Sequence, residues 1–136
     1  MDFKFSVSAR IARPVAETYE AIADPTKLSA YFTTNGAKGR LETGETVMWD
    51  FHDFPGAFPV EVVEAVPNER IILRWAAHEE PSSPDAPKYQ TTVTITFTAL
   101  DEDTRTLVTI AEEGWRQTEG GLKGSYGNCM GWSQML

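Results

Sequence analysis

The chain has 136 residues, 41% of them hydrophobic and 24% charged, with a net charge of −8 from 12 Lys+Arg against 20 Asp+Glu. This length predicts a single domain spanning residues 1–136, with roughly two-thirds of the unfolded chain's surface buried, and the ordinary apolar fraction excludes a disordered chain. The acidic balance, with nothing more basic than the Lys38 and Arg40 cluster, argues against nucleic acid or an anionic membrane as main partner.

The first element is a strand. Phe3, Phe5, Val7, Ala9 and Ile11 are apolar while Asp2, Lys4, Ser6, Ser8 and Arg10 are polar, a period of two that buries one face. That alternation reads as neither a signal peptide nor a membrane anchor, and no stretch reaches the roughly 20 apolar residues of a spanning helix. Pro14 ends the strand and suits the first turn of a helix, where its missing N–H has no partner to lose. Val15, Tyr19 and Ile22 supply the apolar stripe of that helix, opposite Glu17 and Glu20. Asp24-Pro25 breaks it, since the residue before proline avoids the helical region. Leu28, Tyr31 and Phe32 then predict a second short helix.

From Gly36 the pattern is strands and turns. Arg40–Glu42 predicts a weak strand that turns at Gly44-Glu45. Val47, Trp49 and Phe51 alternate with Met48, Asp50 and His52. Phe58, Val60, Val62 and Val66 predict the next strand, closed by Pro67-Asn68. Ile71, Leu73, Trp75 and Ala77 follow, alternating with Ile72, Arg74 and His78. Residues 79–87, with Pro81, Pro84 and Pro87, form a surface loop. Val93, Ile95, Phe97 and Ala99 point inward and Thr92, Thr94, Thr96 and Thr98 outward. After the acidic turn Asp101-Glu102-Asp103, Val108 and Ile110 point inward, and the same register puts Glu112 on the inner face.

From Thr118 the spacing is helical again through Leu122, Tyr126, Cys129, Trp132 and Leu136. Gly120, Gly121, Gly124, Gly127 and Gly131 interrupt it, each costing about 1 kcal/mol relative to alanine in a helix interior, so this helix needs something to pack against. The expected fold is α+β: a strongly curved antiparallel sheet of about six or seven strands around a C-terminal helix, with two short helices after the first strand. The space between sheet and helix is the natural ligand site.

Little chemistry stands out. Cys129, the sole cysteine, cannot form an intramolecular disulfide, which favours a reducing, cytoplasmic setting. With no histidine nearby in sequence it reads as a packing residue, not a nucleophile. His52 and His78 lie near acidic residues but lack metal-ligand spacing, and Gly120–Ser125 lacks the spacing of a phosphate loop, so no metal and no cofactor are expected. The aromatics carry more. Trp49, Phe51, Trp75, Tyr89, Phe97 and Trp115 come from several strands and converge on the concave face, as a filled core or as the wall of a pocket. Glu112 among them would serve as a general acid or a ligand anchor, unless strand distortion turns it to solvent. Arg74 could neutralise an acidic ligand, but its parity favours the outer face.

Five segments in order resemble a known superfamily. They are Ile11–Ile22, Asp24-Pro25-Thr26-Lys27-Leu28 with Tyr31-Phe32, Val60–Ile71 with Leu73 and Trp75, Thr106–Trp115, and Gly131-Trp132. Together they resemble the START-like, helix-grip (SRPBCC) proteins, and within them the branch of the activator of heat-shock-protein-ninety ATPase. Tyr31 stands where that pattern usually has tryptophan. The resemblance implies lipid-like or polyketide-like ligands held between sheet and terminal helix. It also implies a second reading, a co-chaperone domain that stimulates a heat-shock-protein-ninety ATPase through its outer surface, and a third, a cyclase or hydrolase using the same cavity through Glu112. In relatives the helix after Gly-Trp runs several turns further than Leu136. A helix cut short there would leave part of the sheet exposed, to be buried in a homodimer.

Overall fold

The computed structural model describes residues 3–29, 36–51, 54–76 and 90–115. Its strands are β1 (Phe3–Ile11), β2 (Gly36–Lys38), β3 (Thr46–Phe51), β4 (Phe54–Val66), β5 (Arg70–Ala76), β6 (Gln90–Leu100) and β7 (Arg105–Trp115). Helices α1 (Val15–Ala23) and α2 (Pro25–Ser29) lie between β1 and β2. The strands form one curved antiparallel sheet in the order β1-β7-β6-β5-β4-β3-β2. From β2 to β7 each strand pairs with its sequence neighbour, and β1 adds itself beside the last strand.

Alternation along each strand becomes rows across the sheet. Ile71, Ile95 and Ile110 are partners in one row, Leu73, Val93 and Glu112 in the next. All six are buried, so the face predicted to be inward is the core. Tyr19, Ile22 and Ala23 of α1 are buried too, and the Tyr19 ring lies 5.2 Å from that of Phe97 on β6. Pro14 takes the N-cap position just before α1, and the Val15 N–H donates to Asp103 Oδ1 at 2.8 Å from the β6–β7 turn. Asp24 serves both helices: its N–H donates to the Glu20 carbonyl, and its Oδ1 accepts from the N–H groups of Thr26 and Lys27, capping α2.

Three local expectations give way to tertiary structure. The weak strand expected at Arg40–Glu42 is instead β2, four residues earlier. Gly39, at φ 98°, turns the chain out of the sheet, Arg40 reaches back to Glu20 of α1, and Leu41 is buried with its N–H on the Ala23 carbonyl. In β4 a bulge between Val62 and Glu64 resets the alternation, so Ala65, not Val66, faces the core opposite Ile71. Ala99 is exposed, because the inward run of β6 ends at Phe97, under Tyr19. Tyr31, Phe32, Ala77, the loop at residues 79–87 and the expected helix at Thr118–Leu136 lie outside the described residues.

Candidate functional site

Among the described residues the buried charged side chain of the inner face lies where β7 nears its end. Glu112 is fully buried there, opposite Val93 of β6 and Phe5 of β1. Its Oε2 accepts two hydrogen bonds, from Thr91 Oγ1 at 2.5 Å and from Trp75 Nε1 at 3.1 Å. Trp75 belongs to β5, so all of β6 separates it from Glu112, a span of about 10 Å between strand axes. Two long side chains bridge that span over Thr91, the smallest inward residue of β6, which leaves room and donates as well. Trp75 also packs edge-to-face on Trp49 of β3, with ring centroids 5.7 Å apart and planes at 89°. Trp49, Trp75, Thr91 and Glu112 thus form one buried group across four strands.

The backbone beside this group is irregular. Phe5 pairs with Glu112 but Phe3 pairs with Trp115, so β7 carries one extra residue there. Gly114 sits in this bulge at φ 94°, a left-handed conformation that glycine adopts without penalty. Strict alternation from Glu112 would put residue 115 on the outer parity; the bulge resets the register and pairs it with Phe3.

A buried carboxylate is expensive unless donors meet it. Trp75 and Thr91 offset that cost without making the arrangement a gain in stability, since apolar residues of similar volume usually serve a core as well or better. Ile95 and Ile110 do so on the same face. Glu112 is therefore the residue here that core packing alone does not explain.

Of the other residues singled out from the sequence, Phe97 lies six positions along β6 from Thr91, about 20 Å, and packs on Tyr19 instead. The Phe51 backbone pairs with Phe54 and that of Trp115 with Phe3. Tyr89, His52, His78 and Cys129 lie outside the described residues. Arg74 is exposed on the outer face, opposite Glu61, as its parity predicts. Thr91 shares the parity of Val93 and is buried with it, an inward threonine directly before the outward threonines at 92–98. Among the described residues no three His, Cys, Asp or Glu side chains gather as metal ligands, and no helix is long and apolar enough to cross a membrane.

A curved antiparallel sheet with two short helices after its first strand, and a polar-aromatic group on its inner face, defines an α+β protein of the helix-grip class. The chain belongs to the family described as Activator of Hsp90 ATPase homolog 1-like protein, which residues 12–136 match. Solved structures agree on the fold. A Mesorhizobium loti protein superposes with a TM-score of 0.76 at 21% identity, covering 98% of this chain and 90% of that one. An HSP90 activator from Plasmodium falciparum gives 0.71 at 20% identity, covering 96% and 88%. The Aha1 dimer from Colwellia psychrerythraea gives 0.70 at 16% identity, covering 98% and 92%. No curated protein matches the chain.

Proposed function

We propose that this chain is a START-like binding module that holds a small apolar or amphipathic molecule in a cavity between the inner face of the sheet and the C-terminal helix. Trp49 and Trp75 form its wall and Glu112 its polar anchor. The observation that carries this reading is the buried Glu112 carboxylate, fixed by Trp75 and Thr91 inside an aromatic surround. Small-molecule sites are typically built this way, from apolar and aromatic walls with a few convergent polar groups. Phe51, Tyr89 and Trp115 are the sequence's further candidates for the wall, while Phe97 packs on Tyr19.

The test compares native and denaturing mass spectra of freshly purified protein. An excess mass lost on denaturation is the expected result, and its value gives the size of the ligand. Trp75→Ala should then weaken rebinding of that molecule; an unchanged affinity would overturn the placement.

A second reading, favoured by family membership and by the likeness to the Plasmodium HSP90 activator, is a protein-binding domain that stimulates an Hsp90 ATPase through its outer surface. ATP turnover by Hsp90 with and without this chain separates the two readings. The Colwellia dimer also motivates self-association, and a monomeric sedimentation profile at every concentration would count against it.

A further inference from the structure

We infer that the outer edge of β1 takes up an extended acidic segment of another protein as an eighth strand of the sheet. β1 is nine residues long and, among the described residues, pairs with β7 alone. An edge of that length presents a row of backbone N–H and C=O groups to which a further strand can add. The side chains of its inner face show the same missing neighbour. Val7 and Ala9 stand opposite Ile110 and Val108, which are fully buried, yet they remain half-buried themselves, as do Phe5 and Ile11. A strand added here with apolar residues on that face would remove the remaining area from water.

The outer face selects the partner. Lys4, Ser6, Ser8 and Arg10 are exposed there, and the stretch Phe3–Arg13 holds three cations and no acidic residue in a chain of net charge −8. Arg13 lies 3.9 Å from Glu17, whereas neither Lys4 nor Arg10 makes an ion pair among the described residues. Ser6, Ser8 and Arg10 face Ala111, Thr109 and Leu107 on β7, and Glu113, across the bulge from Lys4, is the only exposed carboxylate of that strand. A second copy of the chain fits this edge poorly. Antiparallel pairing of two β1 strands in full register sets Lys4 against Arg10 twice, and like charges directly opposite are destabilising. The cations that guard the edge against its own kind are those an acidic strand would satisfy. Lys4 and Arg10 are six positions apart, about 20 Å along the strand. The matching segment therefore carries carboxylates at its first and seventh positions on one face and apolar side chains on the other.

The test is a backbone-amide NMR titration of the whole chain with three end-capped peptides, at low salt and neutral pH. The sequence Glu-Val-Ser-Val-Ser-Val-Glu has this pattern and reads the same in both directions. The second peptide has lysine in place of both glutamates. The third is the acidic peptide N-methylated at every internal residue, which keeps the charges and removes the donors. The acidic peptide is expected to shift the β1 amides and slow their hydrogen exchange, with the lysine peptide weaker by at least about fivefold and the methylated one without effect on β1. In the double variant Lys4→Glu, Arg10→Glu, changed only at exposed positions, the order of the two charged peptides should invert and the thermal midpoint stay near that of the parent. Should that variant fail to fold, the ranking on the unmodified protein still decides. Equal binding of the acidic and lysine peptides overturns the inference. So does a methylated peptide that binds as well as its parent, since charge alone would then account for the binding. β1 shifts that follow protein concentration alone would make the edge a contact between copies, and no β1 shift at millimolar acidic peptide would leave it without a partner of this kind; either result overturns the inference.

Discussion

The two ends of the sheet's inner face are built differently. At one end α1 lies against β6 and β7, and Tyr19 meets Phe97 over a floor of Ile95, Val108 and Ile110, all buried. At the other end the same strands carry Thr91 and Glu112, and β5 and β3 contribute Trp75 and Trp49. The first end follows the rule for cores: apolar area is removed from water, and the helix is held by what it covers. The second breaks that rule by burying a carboxylate and then surrounding it with donors. Substitutions at the first end should therefore change stability and leave recognition alone, while those at the second should change recognition by more than their effect on stability explains.

The largest effect is expected from Phe97→Ala. It should cost about 3–5 kcal/mol in chemical denaturation, from lost transfer energy and the cavity under Tyr19. The affinity of the folded fraction for the molecule identified by native mass spectrometry should not change. A loss of affinity beyond the folded fraction would extend the binding wall to Phe97 and blur the distinction between the two ends. Thr91→Val comes next, at about 1–3 kcal/mol, because it removes a donor from a buried carboxylate without changing the volume much. Thr91→Ser keeps the hydroxyl and should lose clearly less; equal losses would mean that the methyl group, and not the hydrogen bond, is what matters there. Asp103→Ala should cost about 1 kcal/mol by removing the acceptor for the Val15 N–H at the start of α1. Asp103→Asn, which keeps an acceptor and tolerates the residue's φ of 65°, should stay near the parent value.

The apolar end was open to sequence reading because it obeys periodicity. Val93, Ile95 and Phe97, or Val15, Tyr19 and Ile22, announce their faces whatever they pack against. Glu112 was legible for the same reason, as a polar residue caught in an inward register. Its partners were harder. Trp75 reaches it across a whole intervening strand, a contact fixed by side-chain length and sheet register that no sequence spacing encodes. The bulges at Glu64 and Gly114 also escape alternation, since one extra residue inverts every parity that follows it. The misplaced strand at Arg40–Glu42 has a tertiary cause as well. Leu41 is apolar because it is buried beside the end of α1, and Arg40 is fixed by a partner on that helix, so neither reports a position in the sheet.

That ion pair supplies the smallest effect and a check on the apolar end. Arg40 holds Glu20 with two hydrogen bonds, Nη1 to Oε2 at 2.7 Å and Nη2 to Oε1 at 2.5 Å, and ties the segment before β3 to α1. The guanidinium's hydrogen bonds hold the Glu20 carboxyl below the usual carboxylate range. A carboxyl lowered in the folded state stabilises the protein above its unfolded value, near 4.3, and loses that contribution as the pH falls through the lowered folded value. Both side chains are more than a third exposed, so solvent screens the pair. A double-mutant cycle with Glu20→Gln and Arg40→Met should give a coupling of about 0.2–1 kcal/mol at neutral pH. The coupling should shrink with added salt and vanish in acid once Glu20 is protonated. A coupling that persists unchanged in acid would mean that shape and packing hold Arg40 against α1, and the apolar end would then owe nothing to charge.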